Sequence, residues 1–214
     1  MTELVSQRLP EKMSTDRAAF DALCAGTVLA HVGVVVDGRA KVFPTGFAVL
    51  GDELVIHGST GSRWMRALVG HDASVTITKL DGVMVARSTF ESSMLYRSAM
   101  VFGRFEVAAA ERQAELLNAM SDRIIPGRSA EVRASSKREL AATMALVMPL
   151  REWSLRVSDG WPEDDDADLA GDAWAGVVRF GAPPATADAA PDLRDGIPVP
   201  DSVAALVAHP EHIV

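Results

Sequence analysis

Cysteine is nearly absent from this chain: Cys24 stands alone among 214 residues. A single thiol excludes an internal disulfide framework and fits a reducing compartment, so a cytoplasmic protein is expected. No apolar run approaches the roughly 18–20 residues of a membrane span. The opening MTELVSQRLPEK lacks the apolar core of a secretion signal. Excess positive charge is also missing. The formal net charge is −8, which repels a phosphate backbone and argues against nucleic-acid binding. Lysine is scarce, 4 against 17 arginines, and Tyr96 is the only tyrosine.

Several motifs are missing as well. Neither GxGxxG nor GxxxxGK[ST] occurs, which removes the common dinucleotide and P-loop signatures. A GxSxG elbow is absent, so a serine-hydrolase triad has no support. His31, His57 and His71 show neither HxH nor HExxH spacing, and no metal site is expected. Asp164, Asp166 and Asp168 imitate a calcium loop. Leu169 stands at its glycine place and Ala175 at its glutamate place, leaving a solvated acidic loop. Cys24, among alanine and leucine neighbours, reads as a small core residue.

The chain is 48% hydrophobic and 23% charged, an ordinary composition for one globular domain with a sizeable core. Residues 16–24 read as a short helix. Segments 27–36, 40–50 and 53–57 are rich in β-branched residues and separated by Asp37-Gly38 and Gly51-Asp52, both tight-turn pairs. A short helix follows at 63–69, then two strands at 74–80 and 83–89 joined by Asp81-Gly82 as a third hairpin. Further strands are expected at 98–108, 145–157 and 174–180, with a helix at 111–124 stopped by Pro126-Gly127. Three hairpins and few helices predict a mainly β, antiparallel meander closing into a barrel with attached helices. Residues 1–180 form this domain. Residues 181–214 are a Pro/Ala/Asp-rich tail with a short helix at 201–208.

Three stretches carry candidate chemistry. In HGSTGSR, residues 57–63, Ser62 is placed to cap the helix that starts at Arg63. Ser59 and Thr60 add hydroxyls, and Arg63 and Arg66 add planar donor forks, an arrangement suited to an anion. A capped helix with solvent-facing arginines explains the same residues. In VFPTGF, residues 42–47, Pro44 inside a strand marks an edge or a bulge. In SSMLYRS, residues 92–98, Arg97 at a strand start offers a fork beside Tyr96; pairing with a surface carboxylate is the plainer alternative.

The serial order of these motifs, from VFPTGF through HGSTGSRWMRAL and YRS to REWSLRVSDGWPEDDDAD, resembles the pyridoxamine 5′-phosphate oxidase-like FMN-binding split barrels. It is most similar to the branch containing the nitroimidazole-resistance flavoproteins, over roughly residues 15–180. The resemblance implies a six-stranded antiparallel split barrel that forms a homodimer and binds FMN between subunits. It implies that Ser59, Thr60, Ser62 and Arg63 grip the FMN phosphate, that Pro44 and Thr45 run along the flavin edge, and that Tyr96, Arg97 and Ser98 lie near the cofactor. Thr45 and Arg97 are then the candidates for tuning the ring. An FMN-dependent oxidoreductase acting on a small molecule is the implied function. A flavin carrier or sensor without turnover, or a barrel holding haem or F420 instead, are the alternatives. In the nitroimidazole branch a segment like HHSMNYRS is common. Here Glu91, Ser92 and Leu95 replace its histidines and asparagine, so that branch's substrate chemistry does not carry over.

Overall fold

Alternation of apolar and polar residues at period two generates most of this molecule, because each strand must turn one face inward. The computed structural model describes residues 9–170, 173–181 and 198–209. The Pro/Ala-rich run expected as a linker falls mostly outside them.

In chain order the elements are β1 (Met13–Ser14), α1 (Arg17–Ala25), β2 (Leu29–Val36), β3 (Arg39–Leu50), β4 (Glu53–Ser59), α2 (Arg63–Leu68), β5 (Asp72–Val85), β6 (Ser93–Arg104) and β7 (Glu106–Val107). They continue with α3 (Gln113–Ile124), α4 (Arg128–Glu131), α5 (Lys137–Ala142), β8 (Thr143–Pro149), β9 (Glu152–Ser158), α6 (Asp166–Leu169), β10 (Gly176–Arg179) and α7 (Asp201–Ala208). The strands pair antiparallel in the order β1-β9-β6-β5-β2-β3-β4-β8-β7, with β10 added to β5. The mainly β, antiparallel split-barrel expectation holds, although short strands raise the count above six.

The inward faces of β2 (Ala30, Val32, Val34), β5 (Val75, Ile77), β6 (Ala99, Val101), β4 (Leu54, Ile56) and β8 (Leu146, Met148) form one core. α1 inserts Phe20, Leu23 and Cys24 into it, and α2 inserts Met65 and Leu68. Phe20 meets Trp153 of β9 with ring centroids 4.7 Å apart. Asp16 caps α1, accepting a bond from Ala18 N at 2.9 Å. At the other end Arg123 donates to the carbonyls of Cys24, Ala25 and Thr27, satisfying groups the helix leaves open. On the outside, α3 places Leu116 and Met120 over Ala48, Val55 and Ala145, a second small core that covers β3, β4 and β8. The short C-terminal helix expected at 201–208 forms as α7, and buried Ser202 bonds Glu131 of α4. Among the described residues no helix is long and apolar enough to cross a membrane.

Cys24 is 4% exposed, and burial pushes its thiol pKa up to about 12. The thiolate is the reactive form, so folded protein is expected to resist a thiol reagent at neutral pH and to react only on unfolding. Rapid labelling of the native state in a timed thiol assay would place Cys24 outside the core.

Two turn pairs behave as the sequence predicts. Asp37 (φ 53°) and Gly38 (φ 71°) both adopt the left-handed region that a two-residue hairpin of the mirror-image type requires, and Gly51 (φ 60°) opens the next. Asp81-Gly82 is different and corrects the expected third hairpin. β5 runs unbroken through it, with only a register irregularity between Leu80 and Gly82 against β6. Glycine is required there because β10 lies so close that a Cβ would sit 2.3 Å from the carbonyl oxygen of Val178. The single strand expected at 145–157 is likewise two strands. β8 pairs with β4 and β7, β9 with β6 and β1, and Leu150 N donates to Asp52 O between them.

The acidic loop also departs from expectation: residues Asp166–Leu169 form the short helix α6, and Asp164 is drawn inward. Asp164 is buried: its carboxylate accepts from Arg87 N at 2.7 Å and from Arg87 Nη1 at 2.8 Å, with its side chain 1% exposed. This pair holds the acidic segment against the end of β5.

Candidate functional site

The HGSTGSR stretch forms the corner from β4 into α2. Gly58 leaves room for Met65, which a Cβ would approach to 3.1 Å, so α2 can fold back on the strand. Ser62 is the N-cap residue, as expected, with extended backbone (φ −70°, ψ 117°), but its hydroxyl makes no capping bond. Ser59 Oγ accepts from Gly61 N at 3.1 Å, which leaves its own proton available. Thr60 donates both its N–H (3.0 Å) and its hydroxyl (3.3 Å) to Ala142 O, so its one hydroxyl proton is spent on the fold. Arg66 is spent similarly, on Thr60 O at 2.6 Å. Arg63 is exposed and has no ion-pair partner among the described residues. The corner therefore offers an anion two hydroxyl donors, on Ser59 and Ser62, and one free guanidinium.

Pro44 lies within β3 opposite His31 of β2, in a register without a bulge. Bond-sharing pairs alternate outward from the Asp37-Gly38 turn, so position 44 points its backbone nitrogen away from β2. β4 pairs only with residues 47–50 of β3, so that side of Pro44 is an open strand edge among the described residues. The edge alternative for Pro44 is the one realised, and no ladder bond is lost. Thr45 is half-buried, its hydroxyl donating to Gly46 O at 3.3 Å.

Tyr96, Arg97 and Ser98 sit inside β6, not at a strand start, so the triplet divides between two faces. Arg97 shares a face with buried Leu95 and Ala99. Its fork is taken by Asp81, Nε to Oδ2 at 2.8 Å and Nη2 to Oδ1 at 2.6 Å. That carboxylate raises the guanidinium pKa, and the pairing is the plainer of the two readings for this arginine. Tyr96 and Ser98 face the other way, and Ser98 Oγ lies 2.8 Å from Thr78 Oγ1. The strand order separates β6 from β3 by three spacings, about 14 Å, so one chain does not bring Tyr96 and Ser98 against Pro44.

One cation on that outer face escaped the sequence reading. Arg156 of β9 stands opposite Ser98, and its Nε is buried with no hydrogen-bond partner among the described residues. The signal was available in SLRVS, where strand alternation puts Arg156 opposite in direction to buried Leu155. The same outer face exposes Leu29, Val35, Val42 and Met100, at 48%, 59%, 64% and 41%.

The segment comprising residues 16–157 matches the family model described as pyridoxamine 5′-phosphate oxidase. The chain belongs to that family. Within the pyridoxamine 5′-phosphate oxidase family, it is similar to the FAD and heme binding protein from Mycobacterium smegmatis. The two share 52% identity over 92% of this chain and 97% of that one, with a TM-score of 0.86. It is also similar to the flavocytochrome Anf3 from Azotobacter vinelandii, at 30% identity over 96% of both chains, TM-score 0.89. A Bacteroides thetaiotaomicron protein assigned to 5-nitroimidazole antibiotic resistance shares the fold alone, at 16% identity over 68% of this chain and 86% of that one, TM-score 0.57. No curated protein matches the chain.

Proposed function

We propose that the protein is a flavin-dependent oxidoreductase that works as a homodimer with the flavin phosphate seated on Ser59, Ser62 and Arg63. The observation that carries this reading is Arg63: an exposed guanidinium with no carboxylate partner among the described residues, beside two hydroxyls whose protons no bond among those residues uses. A phosphate satisfies all three donors through charge-assisted bonds. The flavin nature of the ligand is supported by one relative described as binding FAD and heme and another described as a flavocytochrome. The family resemblance implies FMN; both flavins present the phosphate this corner fits.

A bound flavin supplies hydride or electron transfer, and the chain's part is to bind and orient it. The open edge of β3 around Pro44 offers backbone groups to the polar rim of a ring. Arg97 is committed to Asp81, so Arg156 replaces it as the cation facing the Tyr96–Ser98 side. Exposed Leu29, Val35, Val42 and Met100 favour burial of this sheet face against a second copy, which would also bring β6 of one subunit towards β3 of the other. Anaerobic mixing of the flavin-loaded protein with NADH or NADPH tests turnover. Bleaching of the flavin absorbance is expected; a flavin that neither nucleotide reduces would favour a carrier.

A second reading concerns haem, alongside the flavin and not in its place. Two relatives are described as a heme binding protein and a flavocytochrome. Of the three barrel histidines, His71 has the ligand-like arrangement: it is exposed, and its Nδ1 lies 3.2 Å from Val69 O. A proton held at Nδ1 leaves the Nε2 lone pair open to iron. His71→Ala is expected to abolish the haem absorbance of reconstituted protein while leaving flavin binding intact. Haem retention by that variant would move the ligand elsewhere.

A further inference from the structure

Two side-chain donors are buried without a hydrogen-bond partner among the described residues, Arg87 Nε and Arg156 Nε. Arg87 is nevertheless paired with Asp164 at 2.8 Å. Arg156 has no ion-pair partner among the described residues. A buried nitrogen of a charged group is costly to leave unpaired, and native structures rarely do so. The surroundings narrow what its partner is. Arg156 of β9 stands opposite Ser98 of β6, which stands opposite Thr78 of β5, so the three share one row on the outer face. Thr78 Oγ1 and Ser98 Oγ lie 2.8 Å apart, a single bond that uses one of their two protons. Along β9 the same-face neighbours of Arg156 are Ser154 and Ser158, and the Ser158 hydroxyl is spent on Met94 O. The next carboxylate on that face of β9 is Glu152, about 13 Å along the strand. Leu80, Tyr96 and Met100 sit one pleat from the row on the same face, and Leu80 and Met100 are 45% and 41% exposed.

We infer that Arg156, Ser98 and Thr78 bind the carboxylate of a small organic acid with an apolar body, and that this acid is the substrate of the oxidoreductase. The substrate role rests on the flavin reading above; the carboxylate site does not, and it shares no residue with the phosphate seat. An arginine fork meets a planar carboxylate in two parallel charge-assisted bonds. The spare hydroxyl proton of the Thr78–Ser98 pair supplies a third. One unpaired cation balances one negative charge, whereas a phosphate dianion calls for a second. Arg104, which ends β6 on this face, cannot serve as that second cation, because Asp72 already holds it. The exposed side chains of Leu80 and Met100 offer the apolar body of the acid a surface that excludes water. Burial of this face against a second copy would remove Arg156 further from water, which strengthens the demand for an anion.

The test is calorimetric titration of benzoate, its neutral analogue benzamide and inorganic phosphate into the full chain, with and without flavin, and into Arg156→Gln and Arg156→Lys. Melting curves and the mass in solution accompany each protein. Benzoate is expected to bind at least about tenfold more tightly than benzamide or phosphate. Arg156→Gln should weaken benzoate at least about tenfold. Arg156→Lys keeps the charge and the long stem, so it preserves the readout where Arg156→Gln folds poorly; it should lose about threefold with the fork. In the flavin-loaded chain benzoate should also shift the flavin absorbance, and an unshifted spectrum would overturn the substrate role. No benzoate binding, equal binding of benzoate and benzamide, tighter binding of phosphate, or unchanged affinity in both variants would overturn the carboxylate site. Loss of benzoate binding by the unmodified chain, together with a halved mass for Arg156→Gln, would assign the guanidinium to a carboxylate of a second copy instead. Benzoate binding by a chain that retains no flavin would keep the carboxylate site and remove the flavin reading alone.

Discussion

Arg63→Ala is expected to weaken flavin binding by about 1.5–3 kcal/mol, roughly a 10- to 150-fold rise in the dissociation constant. The side chain is exposed and unpaired among the described residues, so its removal takes away a charged donor without breaking an internal contact. Thermal stability without flavin should therefore be unchanged. Thr60→Val should behave in the opposite way, because the Thr60 hydroxyl is spent on Ala142 O and belongs to the fold. Flavin titration combined with a melting curve separates these outcomes. A folded Arg63→Ala protein with unaltered affinity would return this arginine to the solvent-facing role.

Asp164→Ala should produce the largest loss of stability among the charged positions considered. The carboxylate is buried and answers both the backbone N–H and the guanidinium of Arg87, whose Nε already lacks a partner among the described residues. Deleting it leaves a half-buried cation and an orphaned N–H. The expected cost is about 3 kcal/mol, the lower end for breaking a buried pair because Arg87 keeps 29% side-chain exposure. For a chain of this length that corresponds to a fall in melting temperature of about 6–12 °C. Asp166→Ala, exposed at the start of α6, provides the control and should change little. Equal melting temperatures for both variants would mean that Asp164 is solvated after all.

These residues show what the sequence makes visible. Local chemistry is legible: Asp37-Gly38 and Gly51-Asp52 read as hairpins because positive φ is a property of a few adjacent residues. Ser136 and Glu139 form a full capping box on α5, a signal of the same local kind. Non-local contacts are not legible. Gly82 has the composition of a turn, yet its cause is the approach of β10 nearly a hundred residues later in the chain. Asp164 belongs to an acidic run, and only Arg87, 77 residues away, explains its burial. Alternation carries residues 145–157 as one strand because the break between β8 and β9 depends on which neighbours each half pairs with.

The candidate site divides along the same line. Ser59, Ser62 and Arg63 are neighbours in sequence and remain together in space, so their shared chemistry could be read directly. Tyr96, Arg97 and Ser98 are neighbours too, but strand alternation turns Arg97 away to meet Asp81. Arg156 reaches the Ser98 side only through the pairing of β6 with β9.

The central claim is that this corner seats a flavin phosphate, and the most direct measurement is flavin retention. The purified chain and its Arg63→Ala variant are each incubated with FAD or with FMN and passed through a desalting column, and visible absorbance is read in the protein fractions. The account predicts flavin co-eluting with the unmodified chain and sharply reduced in the variant. Colourless protein after both incubations, or equal retention by chain and variant, would contradict it.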